Sequence, residues 1–391
     1  MNASILSIAI LSLAIWIGLF CFRGRFWQCQ PQLEQAVPHP ELVSLPRVCV
    51  VIPARNEAET IGETVRSLLL QDYPGELTII LVDDRSTDGT AEVAKATAAA
   101  LGKLSQLQII LAEPLPPGWS GKLWAMQQGV NFAQNYAPDY LLFTDADIGH
   151  DPANLRRLVS KATQDKLDLA SVMVRLRCES FWERLLIPAF VFFFQKLYPF
   201  QWVNAPSNPT AGAAGGCILI KQTALERIGG LECIRQTLID DCALALAVKS
   251  SAPGAKIWLG LSDLTRSLRP YNSLQTIWDM VARTAFTQLQ YSPLLLLGTV
   301  LSMTLIYLVS PLAVGWGMIA GDWTIVLVGL AGWLLLSSAY IPTLRFYHQS
   351  PAYSLLLSAI AFLYTLMTID SALRHWQGRG GAWKGRVYAK P

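Results

Sequence analysis

The chain has 391 residues, 52% of them hydrophobic and only 15% charged, which is too apolar for a wholly soluble protein. A net charge of +3 without a basic face argues against a nucleic-acid partner. Seven cysteines at 21, 29, 49, 178, 217, 233 and 242 form no C-x-x-C pair and have no histidine at ligand spacing, which argues for reduced thiols and against a disulfide framework or zinc site.

Ser4 to Phe22, "SILSIAILSLAIWIGLFCF", is an uncharged run of about the 20 residues that cross a bilayer. Arg23 and Arg25 follow it and no A-x-A cleavage site appears, so residues 1–25 are expected to form a retained anchor with the following chain on the cytoplasmic side. Residues 26–46 include the proline-punctuated "PQLEQAVPHPELVSLP" and read as an extended tether.

From there the pattern alternates. "RVCVVIP" at 47–53 predicts a strand, "EAETIGETVRSLLLQ" at 57–71 a helix, and "LTIILVDD" at 77–84 a second strand ending in acid. A helix at 90–101, a strand at 107–111, a helix at 122–135, a strand at 140–145 and a helix after Pro152 continue the series. Unbroken apolar strands alternating with helices predict an α/β domain over 47–265, its mostly parallel sheet covered on both faces and its ligand beyond the carboxyl ends of the strands.

"FWERLLIPAFVFFFQKLYPFQW" at 181–202 is aromatic but interrupted by Pro188, Gln195, Lys196 and Pro199, which suits an interfacial helix or ordinary core packing. Residues 266–293 read as a second amphipathic interfacial segment. Apolar runs at 294–320, 324–341 and 353–369 then predict three further spans within 294–371, ahead of a basic tail at 372–391. Three spans place that tail outside, where the positive-inside rule does not want it, so one run is open to lying in the interface.

Acids gather at the predicted strand ends: Asp83 and Asp84 in "VDDRSTDGT", Asp145 and Asp147 in "TDADIGHDP", and Asp240 and Asp241 in "LIDDCALALA". Any one pair could cap a helix. Three together are costly unless a cation compensates, and oxygen ligands without His or Cys select Mg²⁺ or Mn²⁺, which bridges carboxylates to a substrate diphosphate. "PARNEAE" at 53–59 places a cation and a carboxylate where a helix begins, a position that attracts anions. Neither G-x-G-x-x-G after the first strand nor a P-loop is present, which excludes dinucleotide oxidoreductases and P-loop NTPases.

"VVIPARNEAETIGETVRSLLLQDYP", "ILVDDRSTDGT", "GKLWAMQQGV", "LLFTDADIGHDP" and "IDDCALAL" stand in the order and spacing of the family 2 glycosyltransferases, which this chain resembles over roughly 47–250. With "GWSGKLWAMQQG", "AFVFFFQKLYPF" and "RTAFTQLQYSPLLLLGTV" it looks like their hopene-associated branch. The resemblance implies a GT-A domain, a nucleotide-sugar donor, a divalent metal and a lipid acceptor, with hopanoid biosynthesis as the setting. Carried onto matching positions, it implies nucleotide-sugar contacts from Pro53, Ala54, Arg55, Glu57, Asp83, Asp84, Lys122 and Asp145. It implies metal contacts from Asp147 and Asp145, and a catalytic base at Asp241. Asp240 stands where the family has Glu, which leaves its role open.

The loop with Gly215 and Gly216 meets the acceptor in the family, although a glycine bulge is an equal reading. A lesser reading of Lys122 is a solvated residue at a helix start. No Q-x-x-R-W string of the family's membrane enzymes occurs, Arg283 being its nearest counterpart by position, and that departure speaks against a processive polymer synthase. The implied protein is multi-pass, with its catalytic domain on the cytoplasmic face of the inner or another cytoplasm-facing membrane. Rival readings are a polyprenyl-phosphate glycosyltransferase, whose anionic acceptor needs no base, and a non-catalytic membrane scaffold retaining the nucleotide domain.

Overall fold

The first strand, Val48–Ala54, is buried along its whole length because it lies in the middle of a sheet with a strand on either side and helices above and below. This is seen in a computed structural model that describes residues 2–35, 45–379, 382–383 and 386–387. The chain divides into two units: residues 30–177, 202–270 and 382–391 form one, and residues 1–29, 178–201 and 271–381 the other.

The first unit is an α/β domain. Its strands are β1 (Val48–Ala54), β2 (Leu77–Asp83), β3 (Leu107–Leu111), β4 (Tyr140–Phe143), β5 (Ile148–His150), β6 (Leu169–Arg175), β7 (Ile218–Lys221) and β8 (Ile257–Ser267), ordered β3-β2-β1-β4-β7-β6-β8-β5. β1 pairs in parallel with β2 and β4, β2 with β3, and β6 with β8, whereas β7 runs against β4 and β6, and β5 against β8. The mostly parallel sheet follows the predicted alternation, and the carboxyl ends of β1, β2 and β4 share one edge. The antiparallel direction of β7 was not legible from the sequence: "GCILI" is as apolar as its parallel neighbours, and strand direction leaves no mark in so short a run.

The helix Gly121–Ala133 is capped by Ser120, whose Oγ accepts from the Leu123 amide at 3.3 Å. It lies against β1 at Gly129, where a Cβ would stand 2.4 Å from Val51 Cγ1 and 3.0 Å from Val82 Cγ2. Gly129→Val is therefore expected to cost at least about 2 kcal/mol by overpacking, read as a lowered unfolding midpoint of the full chain in detergent.

Residues 26–35 are folded where a tether was expected. Leu33 is fully buried, and the Glu34 carboxylate accepts from the amides of Asp263 (2.7 Å) and Leu264 (3.1 Å) and from the Ser262 hydroxyl. An apolar side chain and a carboxylate that satisfies a strand bulge outweigh the prolines' preference for extended chain. The proline-rich stretch 36–44 and the tail residues 380–381, 384–385 and 388–391 lie outside the described residues.

The second unit is helical. Asn2–Phe22, Pro293–Ala320, Trp323–Phe346 and Pro351–Trp376 are each long and apolar enough to cross a membrane. Pro311 has no amide hydrogen to offer the Tyr307 carbonyl, and the turn before it, Thr304–Leu308, widens into a π-helix. Two nearby carbonyls are taken instead by the first helix: Trp16 Nε1 donates to Ile306 O at 2.6 Å and Ser12 Oγ to Leu305 O at 2.8 Å. The last helix runs to Trp376 and so contains the start of the expected basic tail; Arg374 pairs there with Asp370 (2.7 Å) and Asp279 (2.6 Å).

Of the two readings for 181–202, core packing describes the inner face of the helix Phe181–Leu197. Leu186, Ile187 and Phe192 are fully buried, and Phe192 meets Tyr340 ring to ring at 5.2 Å. The expected single segment 266–293 is instead the end of β8 followed by helices Leu274–Ala282 and Ala285–Gln288. β8 extends to Ser267 because β5 pairs with Thr265, Arg266 and Ser267.

Candidate active site

Lys122 Nζ lies 2.9 Å from Asp145 Oδ1 and 3.4 Å from Asp240 Oδ2, joining two of the three acid clusters. The lysine sits in the first turn of the helix capped by Ser120, its side chain only 19% exposed, so it is held among the acids and is not a solvated helix start. Burial works against its charge, but Asp145, Asp240 and Asp241 outweigh burial and raise its pKa.

Asp241 opens the helix Asp240–Ser250 and is gripped by amides: Gly215 N donates to Oδ2 at 2.9 Å and Cys242 N to Oδ1 at 2.7 Å. Burial, then the neighbouring Asp240, pushes its carboxyl up to about 6, with Lys122 opposing. Pro53, Phe143, Asp145, Gly215, Asp240 and Asp241 line one cleft with Lys122. This is the crevice beyond the strand ends where an α/β sheet takes its ligand.

At the end of β1, Arg55 Nη1 donates to the Asp84 carbonyl at 2.6 Å and lies 3.5 Å from its carboxylate. Asp84 is buried at the end of β2. Asp83 accepts from the Ser86 amide of its own loop at 2.9 Å and does not cap the helix that begins at Thr90.

Asp147 and Glu57 share one cation that the sequence reading missed. Arg269 Nε donates to Asp147 Oδ2 at 2.6 Å, and Arg269 Nη2 to Glu57 at 2.9 and 3.2 Å. Burial is the first cause that raises the Asp147 pKa, with Asp145 adding and Arg269 opposing. Arg269 follows β8 in "SLRP"; an isolated Arg before Pro carries no signal of its own, and only the pairing of β8 with β5 brings it to this edge.

Asp145 and Asp147 offer an all-oxygen donor set, and each ion pair occupies one oxygen of its carboxylate. Two carboxylates completed by substrate oxygens and water fit Mg²⁺ or Mn²⁺. Among the described residues no group of three or more His, Cys, Asp or Glu gathers at metal-binding distance.

Behind the D-A-D turn, Thr144, His150 and Asn154 form a buried relay. Asn154 Nδ2 donates to His150 Nδ1 (3.1 Å), so the neutral ring donates from Nε2 to Thr144 Oγ1 (3.0 Å), whose hydroxyl donates to the Gly216 carbonyl (2.8 Å). The relay ties the D-A-D turn to the glycine loop. Gly216 itself answers to packing, since a Cβ there would stand 2.8 Å from Val174 Cγ1. Burial holds the His150 pKa down at about 3. Below the usual histidine value of about 6.5 only the unfolded chain takes up this proton. Stability should fall from pH 6.5 downward, by about 2 kcal/mol at pH 5. Denaturant midpoints compared between pH 7 and pH 5 check this, with His150→Gln expected to flatten the slope. Arg283, in the helical unit, is exposed and has no ion-pair partner among the described residues.

Residues 49–229 match the model for glycosyl transferase family 2. This segment is a family 2 glycosyltransferase domain. Its fold is GT-A: a mannosyltransferase from Pyrobaculum calidifontis, solved in complex with GDP-Man and Mn²⁺, superposes with a TM-score of 0.56 at 19% identity over 96% of this chain and 99% of that one. A 4,4'-diaponeurosporenoate glycosyltransferase of Staphylococcus aureus is 33% identical over 99 residues, and an uncharacterised protein of Methanocaldococcus jannaschii 32% identical over 123. Those matches cover 25% and 32% of this chain and 23% and 44% of the relatives' own lengths. In the glycosyltransferase domain, Pro53, Lys122, Asp145, Gly215, Asp240 and Asp241 meet in one cleft, while Arg55 pairs with Asp84, and Glu57 with Asp147 through Arg269.

Proposed function

We propose that the protein is a membrane-bound inverting glycosyltransferase that moves a sugar from a nucleotide-sugar donor to the hydroxyl of a lipid. The observation that carries this reading is Asp241: a carboxylate fixed by two amides, with its pKa pushed up to about 6, facing a cleft it shares with Lys122 and Asp145. At pH 7 it is ionised yet basic enough to take a proton from an acceptor hydroxyl as that oxygen attacks the anomeric carbon. Attack from the face opposite the departing nucleotide inverts the centre in one displacement.

Pro53, Ala54, Arg55, Glu57 and Asp84 would hold the nucleoside end, with Lys122 and Asp145 towards the diphosphate. Asp147 and Asp145 would hold the divalent cation, which supplies neutralisation of the charge that grows on the leaving diphosphate. Asp240 keeps Lys122 charged and beside Asp241. A buried base favours a hydroxyl acceptor over a polyprenyl phosphate, which arrives already ionised.

The lipid acceptor is supported by the four apolar helices and by the similarity to an enzyme named for the carotenoid acid diaponeurosporenoate. A hopanoid is the finer acceptor suggested by the motif pattern, and the cytoplasmic side of the membrane by Arg23 and Arg25. Incubating the detergent-solubilised chain with labelled nucleotide sugars and a lipid extract, with and without Mn²⁺, tests the reading. A labelled lipid that forms only with the metal is expected; label found solely in free sugar or in no product at all contradicts it.

A further inference from the structure

One cation of the helical unit plays no part in this chemistry. Lys196, in the last turn of the helix Phe181–Leu197, points its ammonium at the hydroxyl of Tyr307 (2.8 Å) and lies over the rings of Tyr307 (4.6 Å) and Phe193 (5.7 Å) from their centroids. Trp16 and Phe193 each stand edge-on to Tyr307 at 5.6 Å, closing an aromatic wall. Beside it Arg23, the first residue past the N-terminal apolar helix, donates from Nε to the Lys196 carbonyl at 3.2 Å.

Among the described residues no carboxylate lies within ion-pair distance of Lys196. An ammonium in apolar surroundings without a counter-charge is costly, and a phenol and two ring faces offset only part of that. Burial and the neighbouring Arg23 lower its pKa to about 7, as expected of a cation whose partner is missing from the chain itself. The wall is also a built feature. Tyr307 lies in the π-helical turn that precedes Pro311, and Trp16 and Ser12 bind the carbonyls of that turn. Such single-turn π segments collect at functional sites.

We propose that Lys196, with Arg23 beside it and the Trp16–Tyr307–Phe193 wall around it, binds the phosphate group of an anionic lipid. Two adjacent cations suit a phosphate, and the apolar helices that carry them favour one attached to acyl or prenyl chains over the free ion. The inference does not depend on glycosyl transfer, and its test measures binding alone.

The unfolding midpoint of the full chain in non-ionic detergent would be titrated with dioctanoyl phosphatidylglycerol, dioctanoyl phosphatidylcholine and inorganic phosphate at matched ionic strength. Saturable stabilisation by phosphatidylglycerol alone is expected. Lys196→Met should weaken it at least about tenfold, the loss of one charge-assisted contact, and Lys196→Arg should retain it. Equal stabilisation by phosphatidylcholine, equal effectiveness of inorganic phosphate, or unchanged affinity in Lys196→Met overturns the proposal. Should Lys196→Met fail to fold, the preference of the wild-type chain for phosphatidylglycerol over the other two compounds decides.

Discussion

Asp241→Asn should lower the rate of sugar transfer by about 10²–10⁴-fold, the usual contribution of a general base, while nucleotide binding changes little. The amide keeps the size of the carboxyl and its contact with the Cys242 amide region, so the fold should survive. The pH profile separates this from structural damage. With Asp241 as the proposed base, its carboxyl pushed up to about 6 should give a wild-type kcat/KM that climbs as pH rises through 6 and then levels, because only the ionised form accepts the proton. The Asn variant should lose that limb. Near-normal turnover in Asp241→Asn would instead favour an acceptor that is already an anion.

Lys122→Met should also slow transfer, by less, and for an electrostatic reason. It removes the cation that, among the described residues, lies within 3.4 Å of both Asp145 and Asp240 and opposes the raised pKa of Asp241. Without it the three carboxylates repel one another, and the rising limb should move to higher pH by about one unit, roughly a fivefold loss of ionised base at pH 6. Diphosphate binding should weaken as well, since a cleft lined by three aspartates loses the lysine that offsets them. Steady-state kinetics between pH 5 and 9, with nucleotide affinity by calorimetry, measure both effects. An unmoved limb would mean that Lys122 neutralises the donor but does not tune the base.

Much of the α/β domain was legible because its signals are local. β1 to β4 and the helices between them announce themselves by uninterrupted apolar runs and by helical spacing, and the acids at strand ends stand out against them. The site was legible in part for the same reason: Asp145, Asp147, Asp240 and Asp241 form short strings with a chemistry of their own. Arg269, His150 and Glu34 had no such string. Each acquires its role from a partner far along the chain: Arg269 from Asp147 and Glu57, His150 from Thr144 and Asn154, and Glu34 from the amides after Ser262.

The same division runs through the helical unit. Length and apolarity identified the four spanning candidates, yet nothing in "SMTLIYLVSP" marks a π-turn, and nothing in "FFFQKLYPF" says that its lysine will face Tyr307. The amino-acid sequence by itself determined the strands β1 to β4, which helices are apolar enough for a membrane, and which acids can gather at a strand end, since these depend on periodicity and residue chemistry within a few turns of chain. Only the tertiary structure decided which cation neutralises which acid, because ion pairs and buried hydrogen bonds join residues that sheet order, and not chain order, makes neighbours.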